Sequence, residues 1–133
     1  MRILIDTHYV LWAALDPTLM EPWARGLLEN LDNEILVSAA SVYEISLKVR
    51  DGKLPLAAVF ESDLVANIED KLGYTVLPLE PESMLRAARF ESVHRDPFDR
   101  MISAQAIHHD LPVLSTDSKL DGFGVRRLKK PQR

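Results

Sequence analysis

Short, almost wholly apolar runs alternate with longer stretches in which apolar residues recur every three to four positions. The short runs are residues 2–5 (RILI), 34–37 (EILV), 74–77 (YTVL) and 112–115 (PVLS). Their length and uninterrupted apolar character predict strands covered on both faces. A further short run at 125–128 predicts a possible fifth strand. Between them the periodicity predicts six helices. The first spans 7–15 and is closed by Pro17; the second spans 21–31, with Trp23, Leu27, Leu28 and Leu31 on one face. The third, 39–50, has Ser38 as its N-cap and Gly52 as its stop. The fourth, 57–72, buries Val59, Leu64, Val65, Ile68 and Leu72 and ends at Gly73. The last two are 81–90 and 97–109, the latter with Phe98, Met101, Ile102, Gln105 and Ala106 on one face. A β-α-α-β-α-α-β-α-α-β order of this kind predicts an α/β fold: a parallel sheet between two helical layers. No linker, repeat or low-complexity segment interrupts the 133 residues, which read as one domain, 1–133.

Composition narrows the chemistry. Cysteine is absent, so disulfides, zinc–thiolate sites, iron–sulfur clusters and cysteine nucleophiles are excluded. The longest apolar run is the seven residues 9–15, against about 20 for a membrane helix. The first residues, MRILIDTH, lack a signal-peptide shape. A cytoplasmic protein with no membrane association is the expectation. The net charge of −4 argues against a broad nucleic-acid footprint, but the charge is uneven. Residues 126–133 (RRLKKPQR) carry five basic side chains and no acid, which leaves −9 on the remainder. This segment reads either as a solvated terminus or as a phosphate-attracting arm.

Ligands of open α/β sheets bind beyond the carboxyl ends of the strands, which directs attention to the residues just after each run. Asp6 follows the first strand and Asp117 the fourth. Asp99 lies in the first turn of the sixth helix, and Glu44 in the second turn of the third. Singly, each has an economical structural role: Asp6 as an N-cap, Asp117 in an Asx turn, Asp99 in a favourable helix dipole, Glu44 in an ion pair with Lys48. Together, four carboxylates from four elements near one sheet edge require a counter-cation, since crowded carboxylates do not all ionise alone. Oxygen donors without cysteine select Mg2+ or Mn2+, and such an ion serves phosphoryl chemistry.

Four segments carry a resemblance: ILIDTHYVLWA at 3–13, VSAASVYEISLKVRDGKL at 37–54, HRDPFDRMISAQA at 94–106 and VLSTD at 113–117. In this order the chain resembles a PIN-domain ribonuclease, specifically the VapC-type toxin of bacterial toxin–antitoxin pairs. The 94–106 segment is the most specific. Tyr43 departs from the Trp that this subgroup often carries, and residues 89–93 lack its common Leu-Pro. The resemblance implies a four- or five-stranded parallel sheet in the order 3-2-1-4-5. It implies a metal-dependent endoribonuclease whose catalytic and metal-ligating residues are Asp6, Glu44, Asp99 and Asp117. Cleavage would leave 3′-hydroxyl and 5′-phosphate ends. It further implies a homodimer and a cognate antitoxin that covers the site and supplies the DNA binding, the toxin itself not binding DNA directly.

Thr7, Ser41, Lys48, Asp96, Arg100 and Thr116 are supporting candidates. Thr7 and Thr116 flank acids and suit either carboxylate hydrogen bonding or turns. Ser41 lies one turn before Glu44. Lys48 and Arg100 would meet a scissile phosphate or pair with Glu44 and Asp96. His94 reads as a structural polar residue rather than a base. His108 and His109 read as a solvated pair at a helix end. Trp12 and Trp23 read as core or interface. The rival functions are a non-catalytic PIN-like RNA- or protein-binding module and a metal-dependent phosphatase. A phosphatase of this sheet type usually has an acid two residues after the first, where His8 stands.

Overall fold

The computed structural model describes residues 1–132. Four strands, β1 (Arg2–Ile5), β2 (Glu34–Ser38), β3 (Thr75–Leu77) and β4 (Val113–Leu114), form one sheet in the order β3-β2-β1-β4, with every pairing parallel. The strands are apolar at nearly every position because both faces are covered, and the period-2 alternation divides their side chains between two cores. Ile3, Ile5, Ile35, Val37 and Leu114 point to one face, where they meet Tyr9, Val10, Ala24, Leu28, Ile45, Leu64 and Ile68. Leu4, Leu36 and Val113 point to the other, against Ala40, Ile102, Ala106, Leu111, Leu120 and Phe123.

The first face is covered by α1 (Thr7–Leu15) and α2 (Pro22–Glu29), and the second by α7 (Pro97–His108). The remaining helices are α3 (Ala39–Arg50), α4 (Ala58–Glu61), α5 (Leu64–Ala66) and α6 (Pro81–Arg89). The two helices that begin directly at strand ends, α1 and α3, start where their caps dictate. Asp6 accepts from the Tyr9 N–H, and the Ser38 hydroxyl accepts from the Ala40 N–H.

Three expectations need correction. The predicted helix over residues 57–72 is broken: a 3-10 turn (Pro55–Ala57) leads into α4, and α5 runs into a π-helical segment (Asn67–Lys71). Asp63 leaves the helical region, with φ −141° and ψ 56°. This shifts the phase, so Leu64 and Ile68 are buried while Val59 and Val65 face solvent. Gly73 ends the segment at φ +75°, a conformation that glycine adopts without a side-chain penalty. The second correction is α2, which stops at Glu29 and leaves Leu31 fully exposed. The third is the fifth strand, which among the described residues is a single parallel bridge, Val113 to Arg127, on the far side of β4 from β1. There the Val113 N–H donates to the Arg126 carbonyl (2.9 Å) and the Leu128 N–H to the Val113 carbonyl (2.8 Å). No helix of the described residues is long and apolar enough to cross a membrane. Arg133, the last of the five basic residues in the tail, lies outside the described residues.

Candidate active site

β1 and β4 are neighbours, and the chain winds outward from them in opposite directions, so the crevice beyond their carboxyl ends is where a parallel sheet accepts a ligand. Asp6 and Asp117 lie just past those ends. The Asp6 N–H donates to the Leu114 carbonyl (3.1 Å), which fixes the first residue after β1 alongside the end of β4.

Asp6 is buried, and its Oδ1 accepts from the Tyr9 N–H (3.1 Å). Burial pushes its carboxyl above the usual carboxylate range; the Ser115 hydroxyl, the Tyr9 N–H and His8 oppose the rise, and the charge of Glu44 adds to it. Glu44 is also buried. The Thr7 hydroxyl donates to its Oε1 (2.6 Å), and the Lys48 ammonium donates to its Oε2 (2.7 Å). The Ser41 hydroxyl is 2.8 Å from that of Thr7. A hydroxyl has one proton, and Thr7 spends its own on Glu44, so Ser41 donates to Thr7. The chain Ser41 to Thr7 to Glu44 thus sets the carboxylate's orientation, and Lys48 balances its charge.

Asp99 and Asp117 form the second half of the site. Carboxylate oxygens of both and a ring nitrogen of His94 lie within 4.8 Å of one another. His94 Nε2 is 2.8 Å from Asp99 Oδ2, and its ring packs on Phe123 at 5.6 Å between centroids. Burial pushes the Asp99 carboxyl up; His94 pulls it down, while the charges of Asp96 and Asp117 push it further up. Asp117 uses Oδ1 to hold the Lys119 N–H (3.0 Å), and its own N–H donates to Ser115 Oγ (3.0 Å). Ser115 Oγ therefore supports the turn that carries Asp117. Among the described residues, Asp6 and Glu44 do not join the trio of His94, Asp99 and Asp117 at that spacing. Each is held by local donors instead: Asp6 by the Tyr9 N–H, Glu44 by Thr7 and Lys48.

The supporting candidates divide. Thr7 and Ser41 belong to the Glu44 network, and Lys48 takes the ion-pair alternative. Asp96 caps α7, accepting from the Phe98 and Asp99 N–H groups, and so sets the turn that carries Asp99. Thr116 is exposed at the edge. Arg100 meets neither expectation. Its guanidinium donates to the carbonyls of Ala87, Ala88, Phe90, Ser92 and His94 and stacks over Phe90 and Phe123. It pins the segment that delivers His94 to Asp99. Trp12 packs edge-on against Tyr9 (5.1 Å between centroids), as the core reading expects. Ser115 is absent from the sequence candidates, and His94, read there as a structural polar residue, sits against Asp99 and Asp117. His94 stands in the most specific segment, five residues before Asp99, a spacing that a loop folding back onto a helix start permits. Ser115 has no sequence signal beyond ending the fourth strand.

The donors here are hard carboxylate oxygens with one imidazole, and two of the acids are lifted by burial without a full counter-charge. This set suits a divalent cation.

Similarity to known proteins agrees with this architecture. Ribonuclease VapC22 of Mycobacterium tuberculosis is 27% identical over 118 residues, which are 89% of this chain and 88% of that protein. The crystal structure of FitAcB from Neisseria gonorrhoeae shares the fold with a TM-score of 0.65 at 23% identity over 96% of each chain. DNA-bound VapBC from Salmonella typhimurium does so with a TM-score of 0.69 at 13% identity over 97% of each chain. The family model of the PIN domain matches residues 3–125, a span that contains β2 to β4, β1 from Ile3 onward and every acid of the crevice. With the sheet order, the strand-end acids and that match in agreement, the chain belongs to the PIN-domain family.

Proposed function

We propose that this protein is a metal-dependent endoribonuclease, the toxin half of a toxin–antitoxin pair, built as one PIN-like domain with a short basic tail. The observation that carries the reading is the convergence of Asp99 and Asp117 with His94 at the sheet edge where Asp6 and Glu44 also end. The similarity to Ribonuclease VapC22 supports the choice of RNA, and the toxin–antitoxin neighbours support an antitoxin partner. Asp6 and Asp99 would be the principal ligands of Mg2+ or Mn2+, with Glu44 and Asp117 completing the set or orienting the attacking water. The bound ion would supply charge stabilisation at the scissile phosphate and leaving oxygen.

The chain's own groups have definite tasks. Lys48 and Thr7 each hold one oxygen of Glu44 and so fix its orientation, so that it can accept a hydrogen bond from water. His94 holds one oxygen of Asp99 and leaves the other free. Asp96 and Ser38, as caps, fix the helix starts on which Asp99 and Glu44 stand, and Asp6 caps the helix that carries Thr7. A homodimer in the cytoplasm, with DNA binding left to the antitoxin, completes the proposal.

Cleavage of RNA supported by Mg2+ or Mn2+ and abolished by EDTA is the expected result, alongside inactivity towards a generic phosphate monoester. Undiminished cleavage in EDTA would overturn the metal site. Metal-dependent ester hydrolysis without RNA cleavage would favour the phosphatase, and RNA binding without cleavage in any metal would favour the non-catalytic module.

A further inference from the structure

A second group of metal-ligating atoms lies at the opposite end of α7 from the carboxylates. Glu80, His108 and His109 each place one donor atom within 4.8 Å of the others. Asp99 and His109 are ten residues apart on that helix, which separates the two groups by roughly 15 Å. Glu80 immediately precedes α6, where a capping side chain would normally turn back onto the helix N–H groups. It makes no such bond. Instead its Oε1 accepts from Ser83, and its Oε2 lies 3.0 Å from His109 Nε2. Ser83 is fully buried, so it holds one carboxylate oxygen from below and presents the other outward. The rings of His108 and His109 stand nearly perpendicular, at 88° and 4.9 Å between centroids. An ion pair between Glu80 and His109 at a helix end would need only those two residues. The third donor, His108, is not required for it.

We propose that Glu80, His108 and His109 form a Zn2+ site that ties the start of α6 to the end of α7, distinct from the carboxylate site and independent of the nuclease reading. Two imidazoles and a carboxylate, with one position left for water, are a standard zinc donor set. Zinc bonds of about 2.0–2.2 Å place tetrahedral ligands roughly 3.3 Å apart. Glu80 and His109 already stand near that separation. His108 is exposed, so a rotation of its side chain closes the rest. Ser83 acts as the hydrogen-bonding support that metal-bound carboxylates carry. The partial negative charge at the carboxyl end of α7 favours a cation there. Arg86 and Arg89, which line the adjoining cavity with Glu82 and His108, oppose it and weaken the binding.

The test is calorimetric titration of tag-free, full-length, metal-stripped protein with zinc chloride. The Asp99→Asn/Asp117→Asn double variant should retain one zinc equivalent at this site. Glu80→Gln and His108→Gln/His109→Gln should each bind that zinc at least about tenfold more weakly, with circular dichroism confirming their fold. If the histidine double variant is destabilised, Glu80→Gln and the exposed His108→Gln alone decide the matter. Unchanged zinc affinity in those two, or zinc binding that vanishes in the Asp99→Asn/Asp117→Asn protein, would overturn the proposal.

Discussion

At the scale of single residues, the burial of two acids in the crevice works against the metal-free fold. Burial raises both Asp6 and Asp99 above their ordinary value of 3.8. A raised carboxyl binds its proton more tightly in the folded than in the unfolded chain. The stability it contributes is therefore present in full below pH 3.8 and is lost as pH rises through the folded value. At neutral pH without metal, both ionised groups are a liability. Asp6→Asn and Asp99→Asn should abolish RNA cleavage yet leave the metal-free protein at least as stable, because asparagine still caps a helix at position 6. Urea unfolding in EDTA checks the stability, and an active Asp99→Asn protein would reduce that residue to a helix-dipole role. Arg100 works the other way. Its planar fork serves five carbonyls, a geometry that an ammonium cannot reproduce. Arg100→Lys should cost about 2–4 kcal/mol in urea unfolding and slow RNA cleavage by loosening the segment that ends at His94. The placement of Asp6 and Asp117 past neighbouring strand ends was legible in the sequence, because each follows an apolar run that forms a strand. The occupation of Arg100 was not, because it depends on where the carbonyls of residues 87–94 turn.

At the scale of elements, the caps decided what could be read. Helices α1 and α3 lie where expected because Asp6 and Ser38 are side chains that begin helices whatever packs around them. Residues 57–72 have apolar spacing that suits one helix, yet the backbone breaks at Asp63, just after Ser62. Ser62 donates its hydroxyl to the Val59 carbonyl, a local bond that competes with helix continuation. The break is stitched by a contact across it that no periodicity reveals: Asn67 Nδ2 donates to the Phe60 carbonyl at 2.7 Å. Asn67 is buried, so Asn67→Ala removes the bond and leaves that carbonyl without its partner. It should destabilise the protein by about 1–3 kcal/mol, with faster amide hydrogen exchange confined to residues 58–72. A uniform loss of protection, or none, would show that the break does not depend on this bond.

At the scale of the molecule, the sheet separates two cores and leaves its carboxyl edge for chemistry, and the basic tail joins this frame from the far side of β4. Two of its charges are already engaged. Arg126 bonds Asp110, and Arg127 bonds both oxygens of Asp121, which holds the Asp121 carboxyl below its usual value. Among the described residues, the last backbone tie of the tail is the Leu128 N–H to the Val113 carbonyl, and 129–132 make no further backbone bond to the sheet. Removing residues 129–133 deletes Lys129, Lys130 and Arg133 and leaves that tie in place. On a remainder that carries net negative charge, these are the groups most available to a phosphate backbone. If they contact RNA, the truncated protein should bind more weakly. Its log affinity should fall less steeply with log salt, by about 0.7 per lost single-strand contact and about 2 for all three. Turnover of saturating RNA should persist, since the acids stand on other elements. Thermal unfolding of the truncated chain should match that of the full chain, which separates a lost contact from a lost fold. Identical affinity and salt slope in the two proteins would show a solvated tail and leave the carboxylate site as the place where RNA is held.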